Sequence, residues 1–282
     1  MEADMKKLLL AGAALGVVAL GATLVTNAQS MGKYGDCKIE GKMGSNKFTP
    51  ALKGQLTVEV NLPAPIFYNG DTPETIKSGL EYCLAANIAY RAGLEKVVVK
   101  NVAWDALVAG QTKDFDLALS QISITDERKK VVDFSTPYFF SDVGVLVKKG
   151  AKIDGTSIKA ATVGVQQGTT GEYFAQNSLK PKNLKVFPDT PSMFTALQAG
   201  QIDAAMTDTA IVLGQAKTTE GALEVVGQFK TGETYGALFP KNSKNRAKID
   251  SILKALIKDG TVKKLAKEYF GGDPSEVPVF KL

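Results

Sequence analysis

The chain has 282 residues, 44% of them hydrophobic, with 34 Lys and Arg against 29 Asp and Glu for a formal charge of +5. This allows one large domain or two small ones, and the absence of a basic stripe interleaved with aromatics leaves nucleic-acid binding without support. With no histidine and two cysteines, Ser-His-Asp and Cys-His catalysis, His-ligated zinc and four-ligand Cys sites are excluded, so no metal or other cofactor is expected.

In chain order, Met5-Lys6-Lys7 is a short basic region before an apolar run from Leu8 to Val25, and Thr26-Asn27-Ala28 offers a small residue at a cleavage position. Residues 1–28 read as a signal peptide, an uncleaved membrane anchor being the other reading because the run approaches spanning length. Cleavage would remove two lysines and two acids and leave the net charge unchanged. The mature chain is then expected in the periplasm. In that oxidising compartment Cys37 and Cys83 suit a disulfide, two buried thiols being the alternative.

Residues 29–49 have little periodicity and read as an N-terminal arm. From Gln55 strand and helix signals alternate. Strands are predicted at 56–60, 97–102, 115–120 and 143–148, and helices at 73–93, 103–110 and 126–131. The second half predicts strands at 162–165, 184–187, 202–206, 223–226 and 236–239. Its helices are predicted to start at 170 and to cover 190–200, 247–259 and 261–270. Apolar residues at helical spacing, such as Ile249, Ile252, Leu253 and Leu256, support the last two. Such alternation argues for α/β architecture with mostly parallel sheets.

A local repeat links the halves. Ala106-Leu107-Val108-Ala109-Gly110-Gln111 leads through Asp116 into Leu117-Ala118-Leu119, and Ala196-Leu197-Gln198-Ala199-Gly200-Gln201 leads through Asp203 into Ala204-Ala205-Met206. Counting from each Asp pairs Ser120 with Thr207 and Gln121 with Asp208. Polar residues where an apolar strand ends are where open α/β sheets bind ligands. Two such edges would make a cleft.

Ser123-Ile124-Thr125-Asp126-Glu127-Arg128, with Val131-Val132-Asp133-Phe134-Ser135 and Pro137-Tyr138 after it, then 163–170, 203–208 and 259–271, together resemble the polar amino-acid-binding proteins of ABC importers, family 3 of the solute-binding proteins. The resemblance covers roughly residues 55–272. It implies a two-lobed type II periplasmic-binding fold with two hinge crossovers near 143–147 and 236–239. Lobe 1 would hold residues 50–143 plus 239–282, and lobe 2 residues 146–235. It further implies capture of a free amino acid by hinge closure, delivery to a membrane permease of an ABC importer, and a monomer.

Residue by residue, the resemblance implies that Arg128 forks onto the ligand carboxylate, a planar match that Lys cannot copy. Asp208 would take the ammonium, and Ser123 with the backbone near Thr170 would complete the carboxylate shell. Trp104 falls at an aromatic wall. Ser120 lies on the same edge, while Gln121, Gln166 and Thr207 occupy positions that meet the ligand side chain, and being uncharged they favour a polar neutral amino acid. The segment from Glu59 to Tyr68 departs from the family pattern. Asn61 stands near an acid used by relatives that bind basic ligands, and Phe67 or Tyr68 replaces a missing aromatic.

Each residue also has a plainer reading. Arg128 lies in a charge run that could be a solvated face, Asp208 could cap a helix, and Trp104 could be core. Two other functions stand beside capture: a cyclohexadienyl-type dehydratase on the same fold, which needs a general acid of raised pKa in the cleft, and a receptor sensory domain.

Overall fold

Two five-stranded sheets organise the chain. In the computed structural model, which describes residues 34–270 and 274–282, the order begins β1 (Gln55–Val60), α1 (Leu80–Ala92), β2 (Lys96–Asn101), α2 (Trp104–Val108) and β3 (Leu117–Ala118). It continues with α3 (Asp126–Lys129), β4 (Val132–Phe134), β5 (Phe139–Phe140), β6 (Val143–Lys148), β7 (Thr162–Gln166) and α4 (Thr170–Phe174). Then come β8 (Asn183–Phe187), α5 (Thr190–Gln198), β9 (Ala204–Asp208), α6 (Thr209–Thr218) and β10 (Leu223–Phe229). The last elements are β11 (Thr234–Tyr235), β12 (Leu238–Pro240), α7 (Arg246–Lys258) and α8 (Thr261–Phe270). The expected signal peptide, residues 1–28, lies outside the described residues.

The sheets have one plan. The first runs β2-β1-β3-β12-β4 and the second, taken in the matching sense, β8-β7-β9-β6-β10. In both, the first three strands are parallel and the fourth is antiparallel to both neighbours. The short repeat lies at corresponding places. Asp116 accepts from Thr57 N at 2.8 Å and donates its own N–H to Thr57 O, while Asp203 accepts from Thr162 N at 2.7 Å and donates its N–H to Thr162 O. Each aspartate thus ties the start of its strand to the neighbouring strand, β1 or β7. Gly110 and Gly200 end the two preceding helices at φ 70° and 73°, where a side chain would be strained.

The crossover strands expected at 143–147 and 236–239 are instead the interior fourth strands of the two sheets, β6 and β12. The chain crosses on the two-stranded ribbon β5–β11 and the segments beside it. Asp142 ties these together, accepting from Thr231 N, Gly232 N and Lys230 Nζ at 2.8, 3.0 and 2.8 Å. Alternating apolar residues in Val143–Lys148 gave the strand but not its sheet, which is set by partners distant in sequence.

The C-terminal segment departs from the expected assignment as well. Residues 274–282 lie on the second sheet, with Gln228 N donating to Pro278 O and Phe280 N donating to Gln228 O, both at 2.8 Å. Phe280 fills the space above Gly227, where a Cβ would sit 2.3 Å from its ring.

The predicted helix over 73–93 begins at Leu80, because Asn69 and Ser78 pair as a β-bridge and Gly79, at φ 120°, turns the chain into α1. Nearly every residue of α1 is buried, including Glu81, Asn87 and Arg91. The arm explains this. Its Cys37 is bonded to Cys83 of α1 with Cα atoms 5.2 Å apart, and the side chain of Asn87 accepts from Glu40 N and donates to Lys38 O. The two-thiol alternative is thereby removed. Together α1, α7 and α8 cover one face of the first sheet, and smaller apolar clusters fill its other face and both faces of the second.

Candidate ligand-binding site

The strand ends meet at a cavity of about 220 Å³, lined from both sheets. From the first come Asn61, Phe67, Trp104, Ser120, Gln121, Ser123 and Arg128; from the second come Gln166, Thr170, Thr207 and Asp208. The ligand-site candidates read from the sequence therefore line one cleft, with one exception. Of the two alternatives for the missing aromatic, Tyr68 does not. Its buried hydroxyl donates to Leu119 O at 2.9 Å, whereas Phe67 borders the cleft and packs edge-on against Tyr235 and Phe270.

Arg128 is placed by a single helical turn. Thr125 caps α3, its hydroxyl accepting from Arg128 N at 3.2 Å. The charge run divides there. Asp126 and Glu127 have side chains 93% and 82% exposed and pair with Lys129 and Lys130, whereas Arg128 is only 9% exposed. Its Nη1 donates to Ser123 O at 2.8 Å and its Nη2 to Gly168 O, across the cleft, at 3.2 Å. Trp104 lies over it, 5.0 Å from ring centroid to guanidinium carbon, and sends its own Nε1–H to the same Gly168 carbonyl at 3.2 Å. Gly168 thus bridges the two sheets.

Asp208 ends β9 and stands at the N-cap position of α6, yet its side chain makes no capping bond. It is 5% exposed. Burial, with the Glu233 carboxylate next, pushes its pKa up to about 7, against the pull of Tyr235 and Arg128. Burial also lowers the Arg128 pKa, and the Asp208 and Glu233 carboxylates oppose that. Among the described residues no carboxylate lies within ion-pairing distance of Arg128 or cation within ion-pairing distance of Asp208. Among the described residues these two are also the only charged side chains lining the cavity.

The other positions are held from behind. Asn61 N donates to Ser120 Oγ and Asn61 Nδ2 to Val102 O, both at 2.9 Å, so β1 and β3 end in fixed register. The hydroxyl of Ser123 donates to Glu233 at 2.6 Å. Thr169 caps α4, accepting from Glu172 N, and Glu172 accepts from Gly168 N, which leaves the first-turn amides at Thr170 and Gly171 without helical partners. Gly171 lets this turn approach β9, since a Cβ there would lie 3.2 Å from Met206 O.

Several lining residues escaped the sequence reading. Thr190, Phe194 and Gln198 share one face of α5, a four-residue spacing that was visible but had no reason to be chosen. Ile211 and Gln215 sit on α6, which was not predicted because it follows β9 without a break and has only a weak apolar stripe. Glu81 and Glu233 reach the site only through folding.

Residues 56–272 match the profile of the bacterial extracellular solute-binding proteins, family 3.

The chain belongs to this family.

Its relatives in the family include the L-cystine-binding protein TcyJ of Escherichia coli (strain K12), 32% identical over 216 residues, 74% of this chain and 79% of that one. Among solved structures, an ancestral arginine-binding protein bound to glutamine is 33% identical with a TM-score of 0.69, covering 78% of this chain and all of the other. The ancestral amino acid-binding protein AncCDT-1, a precursor of cyclohexadienyl dehydratase, is 32% identical with a TM-score of 0.67, covering 77% and 96%. The fold is the type II periplasmic-binding architecture of this family, and the chain is a solute-binding protein. Among the described residues no helix is long and apolar enough to cross a membrane.

Proposed function

We propose that the cleft captures a free amino acid as its zwitterion, outside the cytoplasm, and that the loaded monomer delivers it to the permease of an ABC importer. One observation carries the reading: a buried Arg128 on α3, beside the first sheet, and a buried Asp208 at the end of β9 in the second face one cavity, neither with an ion-pair partner among the described residues. Unpaired buried charges are costly, and a bound carboxylate and ammonium satisfy both. Because the charges come from different sheets, the same ligand holds the two lobes together, so closure is coupled to binding. Thermal melting against the twenty amino acids tests this. Saturable stabilisation by one or a few, lost in Arg128→Ala, is expected; no shift with any would sink it.

A dehydratase is the second reading, because burial gives Asp208 the raised pKa of a general acid. An ammonium bound beside Asp208 favours its ionised form and removes that acid, so the chain is assigned as a carrier and not an enzyme. Incubation with prephenate or arogenate should give no new aromatic absorbance; its appearance would make this an enzyme.

A further inference from the structure

After Arg128 and Asp208 are matched by the ligand's α-groups, the polar lining is uncharged: Asn61, Gln121, Gln166, Thr190, Gln198 and Gln215. A lysine, arginine or glutamate side chain would bring in a buried charge with no opposite partner, and the second amino-acid head of cystine would bring in an ammonium and a carboxylate that the lining matches with no charge of its own. The ligand's side chain is therefore neutral. An aliphatic one fails for another reason. Gln166, 4% exposed, accepts from the Thr190 hydroxyl on its Oε1, and its Nε2 is buried with no hydrogen-bond partner. A buried amide donor without an acceptor is costly, and because Gln166 lines the cavity an occupant that brings an acceptor within reach of Nε2 would satisfy it.

The first sheet presents the opposite need. Gln121, in the left-handed region at φ 50°, donates its backbone N–H to Glu81 Oε1 at 2.9 Å and its side-chain Nε2 to Glu81 Oε2. Glu81 is wholly buried and also accepts from the Tyr138 hydroxyl. With three donors directed at it, from Gln121 N, Gln121 Nε2 and the Tyr138 hydroxyl, Glu81 acts as the acceptor of this network, which turns the Gln121 amide nitrogen away and leaves Oε1 as the polar atom Gln121 can offer the cavity it lines. One wall thus lacks an acceptor and the other lacks a donor. We infer that the captured amino acid carries a terminal carboxamide, as in glutamine or asparagine, its C=O accepting from Gln166 Nε2 and its NH₂ donating to Gln121 Oε1, with Glu81 as the positioning residue that fixes the Gln121 amide.

This inference rests on the amino-acid reading above, and one experiment separates the two. The full, disulfide-intact chain is titrated calorimetrically with L-glutamine, L-asparagine, L-glutamate, L-arginine, L-methionine and L-cystine, in the unaltered protein and in Arg128→Ala. Glutamine or asparagine is expected to bind at least tenfold more tightly than the other four. In Gln166→Leu the preference for the carboxamide over methionine should fall by tenfold or more. In Glu81→Gln, which frees the Gln121 amide to turn, the preference for glutamine over glutamate should fall about tenfold, a change of ratio that a purely structural role for Glu81 does not produce. Tighter binding of arginine, glutamate, methionine or cystine, abolished by Arg128→Ala, overturns the carboxamide assignment and leaves amino-acid capture standing. Heat from none of the six overturns the carboxamide assignment and counts against amino-acid capture.

Discussion

The two copies of the short repeat do the same structural work and opposite chemical work. Each places an aspartate, Asp116 or Asp203, against a strand threonine, and each then runs a strand to the cleft edge. The first copy ends in Ser120 and Gln121, neutral and held by Asn61 and Glu81, whereas the second ends in Thr207 and the buried carboxylate of Asp208. The first half obtains its charge one helical turn later, from Arg128. Where backbone geometry was needed the halves stayed alike, and at the cleft they diverged, which on the proposed reading lets two similar edges grip the two differently charged ends of one small molecule.

The largest expected effect comes from removing that difference in charge. Arg128→Ala leaves the ligand carboxylate without its cation and should weaken amino-acid binding by about 3–5 kcal/mol, measured by calorimetry. Arg128→Lys should recover only part of this, since an ammonium cannot fork onto a carboxylate.

The disulfide belongs to the first half alone and closes a loop with a sequence separation of 46 residues. Replacing both Cys37 and Cys83 by Ser should cost about 4 kcal/mol of stability in urea unfolding, from the chain entropy released.

The two staples are a finer test. Asp116 is 2% exposed and satisfies two backbone donors, Ala51 N and Thr57 N, whereas Asp203 is exposed and satisfies one. Asp116→Ala should destabilise by about 2–4 kcal/mol, and Asp203→Ala by less than about 1 kcal/mol. Equal costs would show that burial does not set the strength of the staple.

Acidity separates the edges more gently. Asp208 is raised from 3.8 to about 7, so its ionised form is depleted below that pH and affinity for an ammonium should fall by up to about tenfold per pH unit on acidification. The stability of the ligand-free protein should move the other way. A carboxyl with a raised folded pKa contributes stability that is present below the unfolded value and lost as pH rises through the folded one. Asp208, and Glu81, raised from 4.5 to about 7 by burial against the pull of Tyr138 and Gln121, therefore make the empty protein less stable at pH 8 than at pH 5. Melting temperatures with and without ligand across this range should diverge. Parallel curves would show that Asp208 does not meet the ammonium.

Much of this was legible from order along the chain. The strands at 56–60 and 162–165, the helix at 261–270, the repeat and the cleft-edge polar residues follow from periodicity and spacing, which are local properties. Arg128 was harder, because a charge run looks the same whether all of it is solvated or one member turns inward. The resemblance resolved that ambiguity, and capping by Thr125 with exposure of its neighbours shows how the turn is made.

Order along the chain alone set the alternation of elements and the paired Asp-anchored strands, and the family resemblance named the side chains expected to line the cleft. Tertiary structure alone decided which sheet each antiparallel strand joins, that residues 274–282 return to the second sheet, that Asp208 has no capping bond, and that Glu81 stands behind Gln121. The physical reason is the range of the interactions. Periodicity and turn chemistry act over a few residues, whereas strand partners, burial and the orientation of a side-chain amide depend on groups that folding brings together from 40 or more positions away.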